Sequence, residues 1–248
     1  STALGNLTGA RGDYSTAMGR QTTANGLHST AMGRLTNASG ENSTAMGKYT
    51  DATGYAATAI GDSSLASGAI SLASGFRTTA SGDFSTAMGY NAIASGDRST
   101  AIGNYVSTNN QGGSFIIGDN STAVGMVSPV PNFFAARFAG GYRLFSNASY
   151  TTGTTLFAGD NAWTTASDVR TKENFAEVNG EDFLKKISGF HLTSWNYKKQ
   201  NPATFRHYGP MAQDFYTAFG RDKYGTIGND TSINSADFAG VNFIAIQA

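Results

Sequence analysis

The sequence predicts a mainly β protein, in which a parallel β-solenoid is followed by a β-rich connector and a small α+β domain. A fourteen-residue period runs through the first half of the 248-residue chain, with two glycines seven residues apart in the first seven of its eight repeats. Periodicity and composition change after Gly125 and again after Ala166. We therefore predict three segments, residues 1–125, 126–166 and 167–248, the last ending in an apolar helix that is cut off while still running.

The period is regular enough to define a repeat. Blocks such as STAMGRQTTANGLH and STAMGRLTNASGEN occur in eight copies from Ser1 without a gap, and a ninth, FIIGDNSTAVG, follows after one inserted residue. A fixed period of this length predicts one small unit per repeat, stacked as a solenoid. We number the repeat from position 1 to position 14, so that Ser1 and Ser15 both occupy position 1.

Glycine recurs at position 5 of every repeat, from Gly5 to Gly103, and at position 12 of the first seven repeats, from Gly12 to Gly96. Two glycines seven residues apart predict two turns separated by short strands, so that one coil has two strands and two corners. Stacked coils would pair in parallel at about 4.8 Å. A helix is disfavoured, because two glycines would cost it about 2 kcal/mol per repeat.

Alternation within S-T-A-M-G places Thr and Met on one face of the first strand and Ser and Ala on the other. We expect one face to fill the coil and the other, made of small residues, to let a neighbouring chain approach; the pattern leaves open which is inside. Ser74 stands where Met or Ile is expected, which predicts a weak spot. So narrow a coil encloses little core, which favours association of several rolls.

Charge and composition exclude several classes of protein. The chain has 17 basic and 17 acidic residues and no cysteine. No basic face is predicted, so we expect no nucleic-acid partner. Disulfides and thiol metal sites are excluded, and His28, His191 and His207 lack metal-ligand spacing, so no metal or cofactor is predicted. No membrane span or secretory signal is recognised, and we expect a removed export signal or delivery on a particle.

The repeat S-T-A-M-G-x-x-T-x-A-S-G resembles the head repeats of YadA-like trimeric adhesins over about residues 1–125. This resemblance implies left-handed parallel β-rolls packed three together in a homotrimer.

Residues 126–166 introduce aromatic side chains, and RFAGGYRLF predicts a hairpin turning at Gly140-Gly141. Beyond them, EDFLKKI predicts a helix stopped by Gly189. The stretch HLTSWNY at 191–197 alternates like a strand, and Met211, Phe215 and Phe219 mark a second helix.

Three motifs lie in order within residues 167–214: Ser-Asp-x-Arg-x-Lys from Ser167 to Lys172, Trp195-Asn196-Tyr197-Lys198, and Gly-x-x-Ala-Gln-Asp from Gly209. They resemble the intramolecular chaperone domain of phage tail spikes, tail fibres and some bacterial surface proteins. The resemblance implies a domain that assists trimer folding and then cleaves itself off at the Ser167–Asp168 bond. Ser167 would be the nucleophile and Lys172, if partly desolvated, its base. Any enzymatic activity would be this single turnover.

The leading functional hypothesis is an extracellular attachment fibre that binds an unidentified cell-surface or glycan receptor, borne on a phage, an injection particle or a bacterial surface. The alternatives are a glycan-degrading tail spike, which needs a carboxylate pair that the scattered acids of the head do not supply, and a purely structural shaft. Ligand contacts are expected at the variable corners of the repeat, where aromatic and basic side chains vary from coil to coil. The candidates are Tyr14, His28, Lys48, Tyr49, Tyr55, Phe76, Arg77, Phe84, Tyr90, Arg98 and Tyr105.

Overall fold

A computed structural model describes all residues, 1–248, and the chain divides into two compact units, Ser1–Ala166 and Ser167–Ala248. The first unit is dominated by seventeen strands joined in parallel. In chain order they are β1 Thr2–Asn6, β2 Gly9–Ala10, β3 Thr16–Arg20, β4 Thr23–Ala24, β5 Thr30–Arg34, β6 Asn37–Ala38, β7 Thr44–Lys48, β8 Asp51–Ala52, β9 Thr58–Asp62, β10 Leu65–Ala66, β11 Leu72–Phe76, β12 Thr79–Ala80, β13 Thr86–Ala94, β14 Thr100–Ser107, β15 Phe115–Gly118, β16 Met126–Val127 and β17 Phe134–Arg137.

Each repeat forms one coil with a long strand at positions 2–6 and a short strand at positions 9–10. Up to β14, every strand pairs with its equivalent in the next coil at an offset of fourteen residues, as in Thr16↔Thr30 and Thr23↔Asn37. The long strands form one wall, called here the long-strand sheet, and the short strands form the short-strand sheet. The predicted parallel β-solenoid is confirmed.

The interior of the roll is lined by the smallest side chains. From the second coil onward, alanines at positions 3 and 10, such as Ala17 and Ala24, are fully buried, as are the serines and threonines at positions 1 and 8, such as Ser29 and Thr22. Four of the interior serines donate a hydrogen bond to the carbonyl of the preceding glycine, with Oγ···O distances of 2.6–2.7 Å, as at Ser43.

This arrangement corrects one expectation. The small Ser/Ala face fills the coil and is therefore not available to a neighbouring chain, while the Thr/Met face points outward. Ser74 pairs in register with Ile60 and Met88, so the substitution leaves the ladder intact and affects only the outer face.

The glycines predicted one of the two corners: position-12 glycines such as Gly12 begin the turn over positions 12–15, in which the Ser15 N–H donates to the Gly12 carbonyl. Left-handed backbone occurs at positions 7 and 14, at non-glycine residues such as Gln21 (φ 55°) and His28 (φ 54°). The position-5 glycines lie within the long strands, so the prediction of a turn there is wrong. They are required because the coils approach closely: a Cβ on Gly47, where φ is 122°, would lie 2.0 Å from the carbonyl oxygen of Gly61.

The parallel ladder continues past Gly125, because β16 pairs with β14 and β17 pairs with β15. Arg137 closes this end of the roll, with its guanidinium donating to the carbonyl oxygens of Val124 (2.7 Å), Asn104 (3.1 Å) and Asp119 (3.3 Å).

The predicted hairpin at Gly140-Gly141 is wrong, since β17 belongs to the parallel ladder. An antiparallel sheet follows instead, formed by β18 Gly141–Phe145, β19 Gly153–Phe157 and β20 Thr164–Thr165. Its tight loop is held by Asn147, whose side-chain oxygen accepts hydrogen bonds from the backbone N–H groups of Thr151 and Thr152, both at 3.1 Å.

The second unit begins with a 3₁₀ turn, Val169–Thr171, and contains α1 Gly180–Ser188, β21 Thr193–Trp195, β22 His207–Gly209, α2 Ala212–Phe219 and α3 Ser235–Gln247. The three predicted helices are confirmed, and α1 ends at Gly189 as expected. The strand predicted over 191–197 is shorter, three residues paired antiparallel with β22. Phe215, Phe219 and Val241 form the core, against which Phe183 and Ile187 pack.

Candidate functional sites

Ser167 and Lys172 are in direct contact. Lys172 Nζ donates a hydrogen bond to Ser167 Oγ at 2.7 Å. The intervening 3₁₀ turn brings the two together: the Asp168 carboxylate accepts the Arg170 N–H at 2.9 Å, and Thr171 Oγ1 donates to the Asp168 carbonyl at 2.8 Å. The side chain of Arg170 also binds the Asp168 carboxylate and, with the backbone hydrogen bond, holds the pKa of Asp168 below its ordinary value.

The surroundings of this pair differ from those expected of a finished catalytic site. Ser167 and Lys172 are both exposed in the single chain, so the predicted partial desolvation of Lys172 is absent there. Removal of the Ser167 proton needs a neutral amine, and burial is what favours the neutral form of a lysine. The chain thus provides the nucleophile–base contact without the burial that would activate it.

The predicted ligand contacts are distributed over both corners of the roll. Tyr49, Phe76, Arg77, Tyr90 and Tyr105 lie at positions 6 and 7, and Tyr14, Tyr55, Phe84 and Arg98 lie at positions 13 and 14.

Several of these corner side chains contact one another along the roll. The rings of Phe76 and Tyr90 stack with centroids 5.2 Å apart, Arg77 lies over Phe76 at 5.1 Å, and Tyr105 meets Tyr90 edge-on at 5.4 Å. At the other corner, Arg98 lies over Phe84 at 5.6 Å. Tyr55 forms no ring or cation contact and is 53% exposed.

An apolar row runs along the outside of the long-strand sheet at position 4. Leu4 is 63% exposed, and Met46, Ile60 and Met88 are 36–40% exposed. Sequence reasoning found this row but left open which way it faced. The full row is Leu4, Met18, Met32, Met46, Ile60, Ser74, Met88, Ile102 and Ile117.

Sequence reasoning missed two features. Asp119 accepts the N–H of Ala139 at 2.7 Å and lies beside Arg137 at the end of the roll; its pKa is lowered, chiefly by that hydrogen bond. Ile70 occupies a left-handed corner with φ 53° while 51% exposed. Neither residue belongs to a sequence motif. Ile70 becomes an unusual residue only once the backbone at position 14 is known to be left-handed.

No cluster of three or more His, Asp or Glu side chains that could ligate a metal is present. None of the three α-helices has the length and apolar character that crossing a membrane requires.

Comparison with known families agrees with both halves of this architecture. Residues 1–22, 24–50, 52–78 and 80–105 match the YadA head domain repeat. Residues 167–222 match the chaperone of endosialidase. No curated protein matches the chain.

The head repeats and the chaperone domain together define the class of protein. It is adhesin-like or tail-fibre-like, and surface-exposed or extracellular. More particularly, the chain carries YadA head repeats followed by an endosialidase-type chaperone domain, as its sequence motifs predicted.

Proposed function

We propose that three copies of this chain assemble into an attachment fibre that binds a cell or glycan surface on the outside of a particle or bacterium. The observation that carries the proposal is the mainly apolar position-4 row, which runs the length of the roll and is partly exposed in one chain. Large exposed apolar patches on soluble proteins mark interaction surfaces. The interior of the roll holds little more than alanine and hydroxyl side chains, so folding of one chain buries little apolar surface. Burial of the position-4 row between chains would supply most of the apolar stabilisation that the single roll lacks.

The chaperone domain is proposed to drive folding of the trimer and then to cleave itself off. Two observations support this: the Ser167–Lys172 hydrogen bond, and the division of the chain into compact units between Ala166 and Ser167. Since Lys172 is exposed in one chain, its desolvation would have to come from assembly of the trimer. Cleavage would then occur only in chains that have folded and assembled correctly. Release of the chaperone would leave a fibre that unfolds very slowly, a kinetic lock.

The assembly is tested by placing charge on the apolar row. Met32→Asp with Met46→Asp should abolish or strongly weaken trimers measured by light scattering, because two carboxylates per chain would be buried without partners. The matched control is Thr23→Asp with Asn37→Asp at position 9 of the short-strand sheet, where Asp51 already occurs naturally. Equal behaviour of the two variants would contradict the proposed packing.

Receptor binding is tested with the intact trimer on a glycan array and on cells. Exchange of the exposed corner tyrosines Tyr14, Tyr49 and Tyr55 for serine should weaken binding when variant and unmodified chain are compared at equal concentration of assembled trimer. Binding that survives these exchanges would count against a site on the corners, and binding absent even in the unmodified trimer would favour a structural shaft.

A further inference from the structure

The long-strand sheet is bordered by two corners of opposite charge. The leading corner, at positions 13 and 14, precedes each long strand, and the trailing corner, at positions 6 and 7, ends it. Four basic residues and one acidic residue lie on the trailing corner: Arg20, Arg34, Lys48, Arg77 and Asp62. Four acidic residues and one basic residue lie on the leading corner: Asp13, Glu41, Asp83, Asp97 and Arg98. All except the half-buried Asp62 are exposed.

These opposite charges cannot meet within one chain. Asp13 and Arg20 lie at the two ends of β3, and Glu41 and Lys48 at the two ends of β7. A five-residue strand spans about 17 Å, far beyond the reach of an ion pair. The single salt bridge on the corners, Lys48–Asp62 at 3.2 Å, runs along the trailing corner and not between corners.

Rotational symmetry brings the two corners together. If three rolls turn their position-4 rows toward a shared axis, each long-strand sheet is flanked by two neighbours, and a three-fold rotation sets the trailing corner of one chain against the leading corner of the next. We infer that this contact between the basic trailing corner and the acidic leading corner is the interface that closes the trimer. The inference rests on the proposed homotrimer and adds to it the surfaces that pair and their alignment.

At two levels of the roll, opposite charges lie at the two corners of the same coil. Asp13 leads into the strand that ends at Arg20, and Glu41 leads into the strand that ends at Lys48. At two other levels, large apolar or aromatic side chains lie at both corners beside the charges of Arg77 and Asp83: Ile70 leads into the strand that ends at Phe76, and Phe84 leads into the long-strand part of β13, which reaches Tyr90. Equal chemistry at equal levels requires neighbouring chains to stand side by side without an axial shift.

Ile70 is the independent observation for this interface. A β-branched residue is strained in left-handed backbone, and an exposed isoleucine gains nothing from water to offset that strain. Ile70 is the only β-branched residue among the left-handed corners at positions 7 and 14 of the eight repeats. Contact with Phe76 of a neighbouring chain gives the side chain an apolar partner and so accounts for its presence.

Charge reversal tests the interface in the full chain. Arg20→Glu with Lys48→Glu makes the trailing corner acidic at the levels of Asp13 and Glu41, and Asp13→Lys with Glu41→Lys makes the leading corner basic at the same two levels. Each double variant should lower the melting temperature of the trimer by several degrees, and the fourfold variant, in which the corners exchange charge, should recover it. The control is Arg11→Glu with Asp51→Lys, which reverses two exposed charges away from both corners and should change nothing.

Thiol cross-linking gives a second measurement that does not depend on stability. The chain has no cysteine, so Ile70→Cys with Phe76→Cys in one chain introduces the only thiols. A bis-maleimide shorter than β11 cannot join them within a chain and should produce covalent trimers. In a chain with only one of the two cysteines, the thiols lie on equivalent corners, which do not face each other under three-fold symmetry. Each single-cysteine variant should therefore give monomers after denaturation.

The outcomes separate the inference from the proposed function. If the unmodified chain is not trimeric, the assembly itself fails. If it is trimeric, but the fourfold variant is no more stable than the two double variants or the single-cysteine chains cross-link as well as the double one, other surfaces form the interface and the inference is overturned.

Discussion

At the scale of single residues, the Ser167–Lys172 contact is the clearest chemistry in the chain. A serine hydroxyl becomes a nucleophile only when a base takes its proton, and a hydrogen bond of 2.7 Å already places Lys172 at the right atom. What the isolated chain lacks is exclusion of water around the amine. We therefore expect the pair to be inactive before assembly and active after it.

Ser167→Ala and Lys172→Ala should each prevent release of the chaperone domain from a form that cleaves, while trimer formation is unaffected. The exposed Lys185→Ala is the control for loss of a lysine in the same unit. Gel electrophoresis measures cleavage, and mass spectrometry of the fragment shows whether it begins at Asp168, as the motif implies, or at Ser167. Cleavage that persists in Lys172→Ala would remove the dyad from the mechanism.

Asp119 should make the end of the roll sensitive to acid. Its pKa is lowered by the N–H of Ala139, by the side chain of Ser121 and by the charge of Arg137. A carboxylate with a lowered pKa stabilises the folded state above its ordinary pKa of 3.8, and that contribution is lost as the pH falls through the folded value. The melting temperature of Asp119→Asn should therefore lie below that of the unmodified chain at neutral pH, and the difference should vanish in acid; a difference that is independent of pH would exclude the carboxylate charge as its cause.

At the scale of elements, the coil depends on glycine for close approach of its neighbours. A methyl group at Gly47 would lie 2.0 Å from the Gly61 carbonyl, in backbone that L-residues rarely adopt. Gly47→Ala should cost about 2–4 kcal/mol of unfolding free energy, measured by urea denaturation. Gly140→Ala, where no atom lies within 4 Å of the added carbon, is the matched control and should cost much less. Similar losses at both sites would show that close approach does not limit the coil.

The coil was predictable because successive repeats carry the same residue types at the same positions. The in-register pairing of Thr16 with Thr30 follows from that period alone. The inward face was not predictable, because Ser/Ala and Thr/Met alternate equally well and only the width of the coil decides between them. The corner at position 7 escaped prediction because residues such as Gln21 carry no turn signal, whereas Gly12 and its equivalents marked the corner at positions 12–14. The Gly140-Gly141 hairpin failed because the strand before it was already committed to the parallel ladder.

At the scale of the whole molecule, one chain leaves too much apolar surface uncovered for a roll with so thin a core. The position-4 row and the oppositely charged corners lie on and beside the same sheet, so a single three-fold arrangement covers all of them. The second unit has a similar surplus, since Phe243 and Ile246 on α3 are 78% and 83% exposed. Both units are therefore expected to be stable only as parts of an assembly.

The most direct test of this account is the native mass of the full chain, measured by light scattering and native mass spectrometry at several concentrations. The account predicts a trimer of about three times 25.8 kDa that persists on dilution. A stable, folded monomer, with the position-4 row exposed to water and the corners unpaired, would contradict it.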